Sequence, residues 1–112
     1  MTPLRANHIE PSRDDKAITY KGNGTLCEFT VWNGNAGTRY LMLFYGRDVP
    51  TDGHHPRRQW TLTTEQTFDG IFPAGIPFKS GITLVMSTTK NVLTQVPKGT
   101  DGDALMEASL EI

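Results

Sequence analysis

"RYLMLFYG", residues 39–46, decides the fold. Along a strand successive side chains point to opposite faces, so Tyr40, Met42 and Phe44 lie on one side and Leu41, Leu43 and Tyr45 on the other. Both faces are apolar. A strand of this kind sits inside a sheet and needs cover above and below. An opposing sheet supplies one cover. The other must come from a loop, the N-terminal arm or another subunit.

The flanking sequence extends the same pattern. "TLCEFTVWN" (25–33) sets Cys27, Phe29 and Val31 on one face and Leu26, Thr30 and Trp32 on the other. "GNAG" (34–37) joins it to the opening stretch, so residues 24–46 read as a hairpin of two long strands. "KAITYK" (16–21) is a shorter strand ended by "GNG". Downstream, "QWTLTT" (59–64), "QTFDGIF" (66–72), "ITLVMSTT" (82–89) and "NVLTQV" (91–96) are predicted strands. "GRDVPTDGHHPRR" (46–58) is a long loop, and "PAGIPFKSG" (73–81) a corner rich in proline and glycine.

"ALMEASLEI" (104–112) is built of helix-favouring residues. Yet Met106, Ala108, Leu110 and Ile112 alternate with Glu107, Ser109 and Glu111, so the period of two predicts a strand. The whole pattern, about eight short antiparallel strands without a convincing helix, predicts an all-β fold: a small β-sandwich, jelly-roll-like. Residues 1–15 are polar, hold two prolines and read as an extended N-terminal arm; 16–112 form a single β-sandwich domain.

Composition narrows the function. Eleven basic and twelve acidic residues leave a net charge of -1, which argues against a dedicated nucleic-acid binder. No stretch has the length of a transmembrane helix, and "MTPLRANHIEPSRDDK" lacks the apolar run of a secretory signal. Cys27 is the single cysteine, so no internal disulfide forms. Synthesis in a cytoplasm is the expectation.

No constellation of nucleophile, base and oxyanion donors is recognisable, so no catalytic residue is assigned. His54 and His55, with His8, Asp48 and Asp52, are poorly spaced for a metal, and an exposed loop is the simpler reading. Asp101 and Asp103 in "GTDGD" (99–103) lack the further acidic positions of a calcium loop. Cys27 lies mid-strand on an apolar face, as an inert thiol would. No metal or cofactor is expected. Arg47, Arg57 and Arg58 flank the His-His loop and suit an acidic protein surface. Trp32, Tyr40, Tyr45 and Trp60 form either a sugar platform or packing surface, and packing is the simpler reading.

Three stretches in order resemble a known group. They are "RYLMLFYGRDVPTDG" (39–53), "FDGIFPAGIPFKSGITLVMSTTK" (68–90) and the closing "GDALMEASLEI" (102–112). This order is similar to small β-sandwich structural proteins of tailed-bacteriophage virions, over roughly residues 24–112. The long arm and the paired histidines depart from that pattern. The resemblance implies no catalytic residues. It implies a capsid decoration (cement) protein on the virion surface, made in the bacterial host's cytoplasm, that bridges major capsid protein subunits.

On that reading a neighbour covers the second face of residues 39–46, with Trp32, Tyr40, Leu41, Leu43, Tyr45, Arg47, Arg57 and Arg58 as interface candidates. The partners would be the major capsid protein or other virion proteins, and further copies in a dimer or trimer. No membrane and no direct nucleic-acid contact is implied. The alternatives are a carbohydrate- or receptor-binding module of a tail or fibre, and a head-tail adaptor or neck protein held by strand addition from the arm.

Overall fold

The computed structural model describes residues 8–13, 17–34, 37–96 and 104–112. It is all-β, and no helix forms among the described residues. The strands are β1 (His8–Arg13), β2 (Ala17–Tyr20), β3 (Gly24–Asn33), β4 (Arg39–Tyr45), β5 (Arg58–Leu62), β6 (Thr67–Phe78), β7 (Ile82–Ser87) and β8 (Ala104–Glu111). They make two four-stranded antiparallel sheets, ordered β1-β8-β3-β6 and β2-β7-β4-β5. The first strand pairs with the eighth, the second with the seventh, the third with the sixth and the fourth with the fifth. The chain therefore runs as one long antiparallel ribbon folded back on itself. The pairs β3–β8 and β4–β7 stitch the ribbon into two layers.

One apolar cluster fills the space between the sheets. Leu26, Phe29, Val31, Met106, Ala108 and Leu110 come from one sheet; Leu41, Leu43, Leu62, Ile82, Leu84 and Met86 come from the other. Trp60, Phe68 and Phe72 close its β5/β6 side around Phe29, whose ring centroid is 4.8 Å from that of Trp60. Gly70 lies beneath Phe29: a Cβ there would stand 2.6 Å from the ring, so no larger residue fits without displacing it.

Local sequence explains most of the register. Along β8 the alternating set Met106, Ala108 and Leu110 is buried, whereas Ile112, expected with them, is exposed just past the strand. Pairing on both sides, with β1 and β3, holds helix-favouring residues extended. In β3 strict alternation fails. A register shift between Leu26 and Glu28 brings Leu26 onto the core side with Phe29 and Val31, while Cys27 is buried as well. A bulge changes the facing of every residue beyond it, which simple alternation does not show.

The expected hairpin of residues 24–46 does not form, because β3 and β4 enter different sheets, and three expected boundaries move. Residues 73–78, predicted to lie in a corner, belong to β6. That strand is at a sheet edge, where Pro73 and Pro77 forfeit little pairing, and Gly75 takes a φ of 75°. Its ladder with β3 lapses at residues 72–75 and resumes at Ile76. Residues 91–96 form no strand; a single bridge joins Gln95 to Ser87. Part of the expected arm, His8–Arg13, is β1 and pairs along β8 within the same chain.

Candidate functional site

The two-faced strand is covered from within. Met42 and Phe44 of β4 and Val85 of β7 form a second apolar cluster on the outer side of their sheet, and Leu93 and Val49 pack on it. Met42 and Leu93 are both 0 % exposed. Val49 belongs to the loop of residues 46–57 and Leu93 to that of residues 88–96. These two loops, and not a neighbouring molecule, are the lid.

Hydrogen bonds hold the lid in place. The Gly53 amide donates to the Leu93 carbonyl and the Leu93 amide to the His54 carbonyl, each at 2.8 Å. Asp52 accepts from the Gln95 amide at 2.9 Å, and the Gln95 side chain donates to the Pro50 carbonyl. The buried Ser87 hydroxyl accepts from the Thr94 amide at 3.0 Å and donates to the Thr89 carbonyl at 2.8 Å. A loop pinned by so many backbone partners forms a firm surface.

A cationic groove lies on this surface. Gln59 donates to Asn91 Oδ1 at 2.5 Å and accepts from the Asn91 amide at 2.9 Å. Beside this pair, His55, Pro56, Arg57 and Arg58 complete a cavity of about 320 Å³. The Arg57 guanidinium stands over the Tyr45 ring, 5.5 Å from its centroid, and that of Arg58 over Phe72 at 5.9 Å. Tyr45 also lines a second groove of about 410 Å³ with Pro77, Phe78 and Lys79.

The expected interface residues divide among three places. Tyr45, Arg57 and Arg58 come together at the grooves. Trp32 is half-buried on the outer face of the other sheet, in register with Leu105 and Thr67. Tyr40 packs beside the second cluster, and Arg47 is exposed. Leu41 and Leu43 need correction: at 1 % and 0 % exposure they lie between the sheets and present no surface to a partner. Their face of the strand is the inner one, and the outer face, Met42 and Phe44, is the one beneath the lid.

The remaining polar residues have separate environments. His54 Nδ1 donates to the Thr51 carbonyl at 2.8 Å and His55 Nδ1 to the Asn91 carbonyl at 3.0 Å, so the adjacent rings are drawn toward different backbone partners. No group of three His, Cys, Asp or Glu side chains suited to a metal occurs among the described residues. Asp101 and Asp103 lie outside those residues. Burial pushes the Cys27 thiol pKa up, and the nearby charges of Glu111 and Glu28 add to the rise. Its Sγ faces the Thr25 carbonyl at 3.8 Å.

Gln59, Asn91 and Lys79 were not singled out in the sequence. Asn91 carried a faint signal, an Asn between two apolar-threonine stretches, and it takes the left-handed φ of 70° that Asn tolerates. Nothing in the sequence placed it against Gln59, 32 positions away. Compared with protein-family models, with curated proteins and with solved structures, the chain matches none.

Proposed function

We propose that the chain is a jelly-roll structural protein of a bacteriophage virion, a capsid decoration protein that acts by binding and not by catalysis. The observation that carries this reading is the ribbon pairing, first strand with eighth through fourth with fifth, rolled into two facing sheets. Such a pairing order supports the jelly-roll reading, an architecture used by viral capsid and lectin domains. The step from architecture to virion is an analogy of fold, joined to the sequence resemblance.

The docking face on this reading is the outer side of the β1-β8-β3-β6 sheet. It exposes Leu105 at 47 % and Ile71 at 64 %, with the half-buried Trp32 in register beside Leu105. Glu28, Asp69 and Glu107 are exposed among them. A capsid surface that offers apolar residues bordered by lysine or arginine would complement it. Each copy need contribute little, because repeated attachment across a shell multiplies a modest affinity.

Immunogold labelling of purified virions of the encoding phage tests the proposal. Label distributed over the shell is the expected result. Virions without any label would overturn the virion assignment. Label confined to the tail tip would favour a receptor-binding module, the second reading that the grooves at Tyr45 support.

A further inference from the structure

We propose that the two grooves meeting at Tyr45 and Arg57 form a binding site for a carboxylated saccharide, a chain of uronic-acid type. Arg57 lines one groove and its guanidinium lies over the ring of Tyr45, which lines the other, so the two are neighbours across a single side-chain pair. Their volumes, about 320 and 410 Å³, fall within the ~300–1,000 Å³ of small-ligand sites.

The charge of the site asks for an anion. Arg57 and Arg58 are adjacent and exposed, and no carboxylate of the described residues lies within 4.0 Å of either. Each guanidinium lies over an aromatic ring, within the range of a cation–π attraction. A planar guanidinium matches a carboxylate with two parallel hydrogen bonds, which a lysine ammonium does not. Lys79, in the second groove, adds a further cation for the next acidic residue of a chain.

The uncharged groups favour a sugar as the carrier of the carboxylate. His55 Nδ1 meets a carbonyl, which only accepts, so the neutral ring carries its proton there. Its Nε2 is then an acceptor, suited to a sugar hydroxyl. Tyr45 and Pro77 give the second groove an apolar wall on which the C–H face of a pyranose ring can lie. The reciprocal hydrogen bonds of Gln59 and Asn91 fix these two lining residues to each other, with Asn91 in the left-handed region. A nucleic acid is a poorer fit: the chain has a net charge of -1 and exposes Glu28, Asp69 and Glu107 on its other sheet.

Isothermal titration at low ionic strength, with trigalacturonate, galactotriose and hexaglutamate as probes, tests the site. Trigalacturonate is expected to bind at least tenfold more tightly than either of the others. The double variant R57A/R58A should weaken that binding at least tenfold, and Y45A should weaken it too. Both changes alter exposed residues, and an unchanged urea midpoint would show that the fold persists. No binding of trigalacturonate at millimolar concentration would overturn the proposal. So would equal affinity for galactotriose, which would make the arginines irrelevant, or equal affinity for hexaglutamate, which would reduce the site to a cationic patch for acidic peptides. The outcome is independent of where immunogold places the protein in a virion.

Discussion

Replacing Leu93 by alanine tests whether the chain covers its own two-faced sheet. Leu93 is 0 % exposed and packs with Met42, Phe44 and Val85. Withdrawing a buried leucine side chain forfeits about 1.5–3 kcal/mol of transfer free energy, and the cavity left behind raises the usual cost of Leu→Ala to about 2–5 kcal/mol. Here the lost side chain sits on a loop, which can settle toward the sheet more readily than a strand can. The hydrogen bonds of Gly53 and His54 with Leu93 oppose full collapse. A loss of about 3 kcal/mol follows, near the middle of the range. With a urea m-value of ~1–3 kcal/mol/M, the midpoint should fall by roughly 1–3 M at unchanged m. A second readout is dye binding to Met42 and Phe44 in Leu93→Asp, where a charge cannot remain beneath the lid. A loss below about 0.5 kcal/mol in Leu93→Ala, the range of an ordinary surface change, would refute the packed lid.

Gly81→Ala should destabilise strongly and lower the urea midpoint: φ is 119° there, and a Cβ would collide with the Gly46 carbonyl, whose amide bonds to the Gly81 oxygen at 3.1 Å. Asn33→Ala should cost about 2–4 kcal/mol in chemical denaturation, because the buried Asn33 side chain donates to the Leu62 and Thr63 carbonyls at 3.3 and 3.0 Å and both would lose it. The pKa of Cys27 is raised in the folded state, so the stability it contributes is fully present below its unfolded value of 9.0 and is lost as pH rises through the folded one. Cys27→Ala should therefore flatten the alkaline limb of the stability profile, and thiol titration of the native protein at pH 8 should be far slower than after unfolding. Phe29→Ala should cost about 3–5 kcal/mol in the same denaturation assay, since it removes the ring shared by Trp60, Phe68 and Phe72.

Alternation made the all-β class and the core face of β8 legible, because a period of two acts through neighbouring residues alone. On β4 it separated the two faces but not which one is inner, so Leu41 and Leu43 read as interface residues although they lie between the sheets. What alternation cannot express was misread. Cys27 and Leu26 share burial because a bulge breaks the period. The corner at Pro73 is strand because an edge position excuses proline from pairing, and edge status depends on strands elsewhere in the chain. Residues 91–96 have a strand's composition, but Leu93 and Val96 are spent in different places, one in the lid over Met42 and Phe44 and one in the main core. At the candidate site Tyr45, Arg57 and Arg58 were found by type. Gln59, Asn91 and Lys79 were not, because their role arises where segments far apart in sequence meet.

The lid also changes what the opening stretch implies about partners. Apolar residues on both faces of β4 invite the conclusion that a neighbour must supply the missing cover. Residues 46–57 and 88–96 remove that need, for they bring Val49 and Leu93 onto the sheet and tie themselves together through Asp52, Gly53 and His54. Self-association at β4 would first have to displace this lid, at the several kcal/mol that burial of Leu93 contributes. Any partner surface must then be sought where apolar side chains remain in water. Leu105 and Ile71 are such residues, on the sheet opposite the lid, and Tyr45 is another, beneath Arg57. The first two share their face with exposed carboxylates and the third lies among arginines. The protein thus keeps two apolar patches in water, one bordered by Glu28, Asp69 and Glu107 and the other by Arg57 and Arg58, and each would select a partner of the opposite charge.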